Sequence, residues 1–129
     1  LLDMNENPKI LLVDDEVDFT ELLAENLEAS GYEVTQVNDP RVALATAHEI
    51  KPDLCIVDLV MPGMDGGDVV GAIKSDFILG NTPVLMLTAL VEESPDNPGG
   101  VQMKGGLPFV SKTSGLNVIL DAIQDQLSE

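Results

Sequence analysis

The chain has 129 residues, 44% of them hydrophobic and 22% charged, which is the size and composition of one globular domain. Its single cysteine excludes an internal disulfide framework and a cysteine-based zinc cluster, and no apolar run reaches the roughly 20 residues of a membrane span. Twenty-three acidic residues against six basic ones give a net charge of −17, which argues against nucleic acid and anionic membrane as direct partners.

The first half of the chain alternates short apolar segments with amphipathic ones. Lys9–Val13 is apolar after its first residue and predicts a strand buried on both faces. Glu16–Ser30 carries leucines at helical spacing, and Glu33–Val37 alternates valine with polar residues, so a helix and a less buried strand should follow. Asp39 is a candidate N-cap, with Pro40 at the first position of the second helix.

The second half continues this pattern. Three further segments have the composition of strands: Asp53–Val57, Pro83–Leu87 and Leu107–Ser111. Gly66–Phe77 predicts the helix between the first two, and Thr113 or Ser114 is the candidate cap of a final amphipathic helix. Five strand–helix units of this kind predict a doubly wound α/β fold with a parallel sheet covered on both faces. The strand order 2-1-3-4-5 is one of two common solutions, between which these patterns do not choose.

The segment that should form the fourth helix, Val91–Lys104, departs from the pattern. It contains Pro95, Pro98, Gly99 and Gly100. In a helix interior a proline costs roughly 3 kcal/mol and a glycine roughly 1 kcal/mol. We therefore expect the fourth helix to be irregular or shortened.

Polar side chains follow four of the predicted strands at the point where each strand ends. They are Asp14 and Asp15, Asp58, Thr88, and Lys112. Each one alone has an ordinary structural explanation, such as a helix cap, a turn residue or a surface lysine. Together they indicate a binding site, because the carboxyl ends of parallel strands meet at one edge of the sheet, where ligands bind in such folds.

The residue types at this edge suit phosphoryl chemistry with a metal ion. Three carboxylates placed close together repel one another, and a divalent cation with oxygen ligands, such as Mg²⁺, removes that cost. A carboxylate beside the cation can attack phosphorus and form an aspartyl phosphate. A lysine and a threonine can then bind the phosphoryl oxygens.

Three motifs and a lysine after the fifth strand make the chain similar to the receiver domains of two-component response regulators. The motifs are ILLVDDE at 10–16, PDLCIVDLVMPGMDG at 52–66 and PVLMLTA at 83–89. The resemblance runs from about Lys9 to the end and implies the flavodoxin-like (βα)5 fold with strand order 2-1-3-4-5. It also implies a single receiver domain over residues 1–129, with residues 1–8 as an N-terminal extension.

The resemblance also implies roles for individual residues. Asp58 matches the phosphoryl acceptor, which is also a metal ligand, and Asp15 matches the acid that binds Mg²⁺ or Mn²⁺ directly. Asp14 matches the acid that holds the metal through water and assists catalysis, and the backbone carbonyl of Val60 matches the third protein ligand.

Three further residues match the parts of the family that respond to phosphorylation. Thr88 matches the switch hydroxyl, Lys112 the lysine that pairs with the phosphoryl group, and Phe109 the aromatic residue that turns inward on activation. An isolated phenylalanine is also plausible as a plain core residue, so Phe109 has two readings. The phosphoryl group would bias a two-state equilibrium, read out in the family on the fourth helix, fifth strand and fifth helix.

The chain departs from the family pattern at two places beside the site. Thr113 stands where the family usually has a proline after the lysine, so the Lys112–Thr113 bond is either trans or strained. Val60 and Leu90 flank the site with apolar side chains, and we expect them to restrict attacking water and slow the loss of the phosphoryl group. Elsewhere, His48 reads as a surface side chain and Cys55 as an inert buried thiol.

The leading hypothesis is a cytoplasmic receiver that takes a phosphoryl group from a sensor histidine kinase or phosphotransfer protein onto Asp58 and reports to an unidentified effector. It would catalyse its own phosphorylation and dephosphorylation without being a free-standing turnover enzyme. One alternative is an interaction module that keeps the fold but signals without phosphorylation. Another is a flavodoxin-like redox protein, although the DDEVD sequence at 14–18 would repel a phosphate there. The oligomeric state is left open, and the first residue, Leu1, leads us to expect a fragment of a longer protein.

Overall fold

The computed structural model describes residues 7–61, 63, 65–89, 101–104 and 106–128. Within them the strands are β1 (Lys9–Val13), β2 (Glu33–Val37), β3 (Leu54–Asp58), β4 (Val84–Thr88), β5 (Val101–Lys104) and β6 (Leu107–Ser111). The helices are α1 (Val17–Ala29), α2 (Ala43–Ile50), α3 (Gly66–Ser75) and α4 (Leu116–Leu127), and a 3₁₀ turn at Pro40–Val42 leads into α2. None of the described helices is long and apolar enough to cross a membrane.

The strands form one sheet in the order β2-β1-β3-β4-β6-β5. All pairings from β2 across to β6 are parallel. With β6 as the fifth parallel strand, the order 2-1-3-4-5 and the doubly wound architecture are confirmed. The central strands β3 and β4 are buried at every residue, as their uninterrupted apolar sequences predict for strands covered on both faces.

The edge of the sheet differs from the five-stranded expectation, because β5 adds a sixth strand antiparallel to β6. The sequence pattern predicts that these four residues belong to the fourth helix, and for them this prediction is wrong. They can form a strand because Gly106 adopts a φ of 82°, in the left-handed region that a tight reversal into β6 requires. Residues 91–100, where the helix-breaking prolines and glycines lie, fall outside the described residues. An irregular helix between β4 and β5, which is the fourth helix of the sequence prediction and not α4, therefore remains a prediction.

Two hydrophobic clusters lie on opposite faces of the sheet. Successive residues of β1 alternate between them, because strand side chains point to alternate faces. Leu11 and Val13 pack with the cluster that includes α2 and α3, whereas Ile10 and Leu12 pack with the cluster that includes α1 and α4. The helices thus cover both faces, and the carboxyl ends of the parallel strands remain as the place where polar side chains gather.

The turn between β3 and α3 is held tightly against the end of β3. Gly66 donates its backbone N–H to Leu59 O at 2.8 Å, and a Cβ on Gly66 would lie 2.1 Å from Asp58 O. Asp65 caps α3 by accepting a hydrogen bond from the Asp68 N–H at 2.9 Å. Only glycine fits at position 66, and this close approach fixes the backbone that carries Asp58.

Candidate functional site

Three aspartates meet at the carboxyl ends of β1 and β3. The pairing of Val13 with Val57 brings the next residues, Asp14 and Asp58, to the same level of the sheet. One carboxylate oxygen from each of Asp14, Asp15 and Asp58 lies within 4.8 Å of the others. Asp14 is completely buried and Asp58 is 4% exposed, whereas Asp15 is partly exposed. The predicted cluster therefore exists, with two acids inside and one toward solvent.

Burial and mutual repulsion make two of these acids reluctant to ionise. Desolvation, reinforced by the neighbouring Asp14 carboxylate, raises the pKa of Asp58 to about 6, although Lys112 opposes the change. Desolvation also raises the pKa of Asp14, again against the influence of Lys112. The ammonium of Lys112 thus compensates only part of the negative charge gathered at this edge.

Lys112 lies over the aspartates from the end of β6. Its Nζ is 2.8 Å from Asp14 Oδ2 and 3.8 Å from Asp58 Oδ2, and it also contacts the Glu16 carboxylate. Burial alone would lower the pKa of Lys112, but its interactions with the Asp14 and Glu16 carboxylates outweigh that effect, and the pKa is raised. The lysine is therefore held as a cation inside the acidic cluster.

The donor set fits a hard divalent cation. All three acids offer oxygen, the ligand that Mg²⁺ and Mn²⁺ prefer in proteins. The buried Oδ2 atom of Asp14 accepts no well-oriented hydrogen bond among the described residues, and its close contact is the ion pair with Lys112. Three ionised carboxylates facing one ammonium leave negative charge that a divalent ion would balance. The backbone N–H of Val60 hydrogen-bonds to Asp58, and the metal role of its carbonyl stays a prediction.

Thr88 and Phe109 occupy the neighbouring strands. Thr88 ends β4, is 1% exposed, and accepts the Lys112 backbone N–H at its carbonyl oxygen at 2.9 Å. Phe109 on β6 pairs with Met86 and is partly buried against the core, with Lys104 Nζ 5.7 Å from its ring centroid. Thr88 therefore lies at the end of the strand next to that of Asp58, and Phe109 lies on the strand that leads to Lys112.

The Lys112–Thr113 peptide bond is trans. Of the two alternatives expected from the missing proline, a trans bond or a strained one, the trans bond is the one found. The Ser111 hydroxyl accepts the Thr113 backbone N–H at 3.1 Å and lies 2.8 Å from the Thr113 hydroxyl. The position of Lys112 follows from the register of β4 with β6, in which Thr88 pairs with Ser111.

Two residues at the site were missed by sequence reasoning. Glu16 contacts the Lys112 ammonium, and the Phe19 ring centroid lies 4.5 Å from Lys112 Nζ. The available signal was position, because Glu16 directly follows the aspartate pair and Phe19 lies three residues further, on the same side of the helix. The positions of Glu16 and Phe19 did not identify Lys112 as their partner, because Lys112 lies 96 residues beyond Glu16 in the sequence.

The other residues singled out lie away from this edge. His48 Nε2 lies 2.6 Å from Asp76 Oδ2, at hydrogen-bonding distance, where α2 and α3 end. Cys55 is buried in β3, and desolvation raises the pKa of its thiol to about 12, which keeps it protonated and unreactive. Leu90 lies outside the described residues, so the expectation for its side chain stays a prediction.

An open cavity adjoins the acidic cluster on the side of β2. Its volume is about 450 Å³. It is lined by Asp15, Asn38, Asp39, Pro40, Arg41 and Gly63. Asp15 is the residue that this cavity shares with the cluster, so the partly exposed acid faces open space while Asp14 is enclosed.

The chain resembles curated response regulators. It is 44% identical over 87 residues to the alkaline phosphatase synthesis transcriptional regulatory protein PhoP of Bacillus subtilis, covering 67% of this chain and 35% of that protein. It is 41% identical over 83 residues to the DNA-binding dual master transcriptional regulator RpaA of Synechocystis, covering 64% and 34% respectively. The chain thus spans about a third of the length of these relatives.

Solved structures and a family model agree with these relatives. The chemotaxis protein CheY4 of Vibrio cholerae matches with a TM-score of 0.80 and 31% identity over 95% of this chain and all of that one. The receiver domain of the hybrid histidine kinase CckA matches with a TM-score of 0.73 and 30% identity over 92% and 98% of the two chains. The model of the response regulator receiver domain matches residues 10–124. With this match across most of its length, the chain belongs to the receiver domain family of two-component response regulators.

Proposed function

We propose that Asp58 is the residue that accepts the phosphoryl group, in the presence of Mg²⁺ or Mn²⁺, from a phosphohistidine of a sensor kinase or phosphotransfer protein. The observation that carries this proposal is the buried Asp58 carboxylate, clustered with Asp14 and Asp15 within 4.8 Å and facing the Lys112 ammonium at 3.8 Å. A purely structural aspartate would not need two further acids beside it. Asp15, Asp58 and the Val60 carbonyl are the groups that would bind the metal directly, and Asp14 would hold it through water.

The transfer is an attack of carboxylate oxygen on phosphorus. An Asp58 oxygen forms the new O–P bond while the P–N bond of the donor breaks, and the electron pair leaves with the imidazole nitrogen, which takes up a proton. Bound Mg²⁺ supplies positive charge for the phosphoryl oxygens. Lys112 brings a second positive charge to the same oxygens from the end of β6. Asp58 must be ionised to attack, and burial opposes this ionisation by raising the pKa of Asp58 to about 6 in the absence of metal.

The same site would release the phosphoryl group to water, so that the chain catalyses its own phosphorylation and dephosphorylation. Water must then reach phosphorus on the side opposite the Asp58 oxygen. Val60 is 61% exposed two residues after Asp58, and its isopropyl group offers this water no hydrogen bond. This supports the prediction that Val60, together with Leu90, slows the loss of the phosphoryl group.

Thr88, Lys112 and Phe109 would transmit the change. A phosphoryl group adds about −1.5 to −2 charge and new acceptor oxygens, which attract the Thr88 hydroxyl and the Lys112 ammonium. The hydrogen bond from the Lys112 N–H to the Thr88 carbonyl supports a coupled movement of the two residues. Phe109 lies on β6 two residues before its end and is only partly buried, which supports a movement of its ring as part of this change.

In the intact protein this domain would act on an effector. PhoP and RpaA are named as transcriptional regulators, and this chain matches only their receiver portion. We propose a cytoplasmic regulator in which the receiver meets a histidine kinase and controls an effector domain or protein. The net charge of −17 supports a regulator in which the effector, and not this acidic domain, would contact nucleic acid. A module that signals without phosphorylation is not favoured, because the acidic cluster and Lys112 are both present.

The experiment is phosphorylation by acetyl phosphate with and without Mg²⁺, followed by intact mass spectrometry. We expect a single phosphoryl adduct that needs Mg²⁺ and is absent from Asp58→Asn. Asp121→Asn, which removes an exposed carboxylate of α4, is the matched control and should be phosphorylated as the parent is. An adduct that persists in Asp58→Asn would contradict the assignment of the acceptor.

A further inference from the structure

The ammonium of Lys112 has partners on both sides. On the inner side lie Asp14 Oδ2 at 2.8 Å and Asp58 Oδ2 at 3.8 Å. On the outer side lie the Glu16 carboxylate and the Phe19 ring, whose centroid is 4.5 Å from Nζ. The Asp58 oxygen is thus the most distant of the three carboxylate partners, although Asp58 is the residue that the lysine would serve after phosphoryl transfer.

Glu16 occupies the N-cap position of α1 without acting as a side-chain cap. Its side chain makes no capping hydrogen bond, and it is 62% exposed. The Lys112 side chain, by contrast, is only 10% exposed. Serine or aspartate is the usual N-cap residue, and its side chain would be too short for this contact, so the contact with Lys112 is what a glutamate provides here.

We propose that Glu16 is a positioning residue that holds Lys112 in its resting place and opposes the movement of the ammonium toward a phosphoryl group on Asp58. The inference rests on the proposed function of Asp58. The negative charge of the phosphoryl group has to draw the ammonium inward, in competition with the Glu16 carboxylate. Because Glu16 is largely exposed, its ion pair is weak, and it shifts the balance between the two positions without preventing either.

The Phe19 ring supports the same assignment. Residues 16 and 19 lie three positions apart, so their side chains share one side of the helix start. A cation over an aromatic face is attracted without a fixed direction, which leaves the ammonium free to shift between Glu16 and Asp58 while it stays near the ring. Glu16 supplies the directional part of the outer contact, and it is therefore the residue to change.

The first test uses calorimetry to measure the affinity of beryllofluoride, in the presence of Mg²⁺, for the parent, Glu16→Gln and Glu21→Gln. Glu21 is an exposed glutamate of the same helix, so it controls for the loss of one negative charge. Since an exposed ion pair is weak, we expect Glu16→Gln to bind about two- to fivefold more tightly than the parent, and Glu21→Gln to match the parent. Equal or weaker binding by Glu16→Gln would overturn the inference.

A second readout separates positioning from general electrostatics. The chain has five lysines, so the side-chain carbon resonance of Lys112 can be assigned with a Lys112→Met variant. In the free protein, Glu16→Gln should shift this resonance and Glu21→Gln should not. With beryllofluoride and Mg²⁺ bound, the Lys112 resonances of the parent and Glu16→Gln should coincide, because the ammonium has left Glu16. If the Lys112 resonances of the parent and Glu16→Gln differed in the bound state by as much as in the free protein, the proposal would be contradicted.

Failure of the proposed function would look different. A parent protein that does not bind beryllofluoride in the presence of Mg²⁺, or that binds it equally well as Asp58→Asn, would remove the phosphoryl site itself. Normal binding by the parent with no effect of Glu16→Gln would remove only the role of Glu16.

Discussion

The side chains of Asp14 and Lys112 form a 2.8 Å ion pair that joins the ends of β1 and β6. These strands are not neighbours, because β3 and β4 lie between them in the sheet. The pair therefore spans the strand that ends in Asp58, and it places a positive charge 3.8 Å from the Asp58 carboxylate. Lys112 therefore compensates buried negative charge in the resting protein, and under the proposed function it would also bind the phosphoryl group on Asp58.

Replacement of Lys112 by methionine should slow phosphorylation by acetyl phosphate about 100-fold, the scale on which enzymes lose rate when one group that stabilises transition-state charge is removed. The single-turnover rate, followed by intact mass at saturating Mg²⁺, measures this effect. Lys9→Met is the control, because Lys9 is exposed at the start of β1, at the other end of the strand from Asp14. A Lys112→Met rate within about threefold of the parent would exclude a direct role in the transfer.

The raised pKa of Asp58 predicts how the stability of the metal-free protein depends on pH. Folding raises this pKa from 3.8 to about 6, so the fold favours the protonated carboxyl. The stabilisation is fully present below about pH 4 and is lost as the pH rises through 6. At about 1.4 kcal/mol per pKa unit, the loss is about 3 kcal/mol.

Asp58→Asn cannot ionise, so it should be more stable than the parent at pH 7.5 by up to about 3 kcal/mol, and nearly equal to it at pH 4. Urea denaturation in EDTA at both pH values measures the difference. Asp121→Asn removes an exposed carboxylate and should follow the parent at both. An Asp58→Asn variant with the same advantage at pH 4 and pH 7.5 would show that ionisation is not the cause.

Added Mg²⁺ should stabilise the parent at pH 7.5, because an ion that binds only the folded state shifts the unfolding equilibrium. At ten times its dissociation constant the gain is about 1.4 kcal/mol, which raises Tm by about 5 °C in a domain of this size. Asp15→Asn removes one of the three clustered charges and should need a much higher Mg²⁺ concentration for the same rise in Tm. The thermal shift of Asp121→Asn should equal that of the parent, and an equal shift in Asp15→Asn would argue against Asp15 as a ligand.

The parallel sheet and the acidic cluster were predictable because both depend on local sequence. Apolar strands such as β3 and β4 need burial on both faces, and the residues that follow parallel strands must share one edge. This reasoning placed Asp14, Asp58 and Lys112 together without any measured distance. The prediction tolerates small errors in the strand bounds, because residues that follow parallel strands remain at the same edge of the sheet.

The remaining features depend on contacts between distant segments or on a single backbone angle. The strand Val101–Lys104 was not predicted, because four residues carry too weak a pattern and its formation depends on the reversal at Gly106. The contact between Glu16 and Lys112 was not predicted either, since an exposed glutamate near a helix start has many ordinary explanations. Likewise, the hydrogen bond between His48 and Asp76 requires the relative placement of α2 and α3.

The glycines of α3 provide a test of the backbone that carries Asp58. A Cβ on Gly66 would lie 2.1 Å from Asp58 O and 2.8 Å from Leu59 Cα, so Gly66→Ala must displace the β3–α3 turn. On Gly71, in the same helix, a Cβ would meet nothing within 4 Å. Gly71→Ala should therefore stabilise the domain by up to about 1 kcal/mol, since alanine favours a helix over glycine by that amount.

Gly66→Ala should instead destabilise the domain by about 1–3 kcal/mol, which is the range for overpacking a well-packed site. It should also slow phosphorylation, because the displaced turn carries Asp58 out of its place beside Asp14 and Lys112. Urea denaturation and the acetyl phosphate assay on both variants give the two readouts. If Gly66→Ala were as stable and as rapidly phosphorylated as Gly71→Ala, the tight turn would not be what holds the acceptor. A loss of rate in Gly66→Ala, under conditions where the variant remains folded, would show that the position of the Asp58 backbone is itself part of the reaction's requirement.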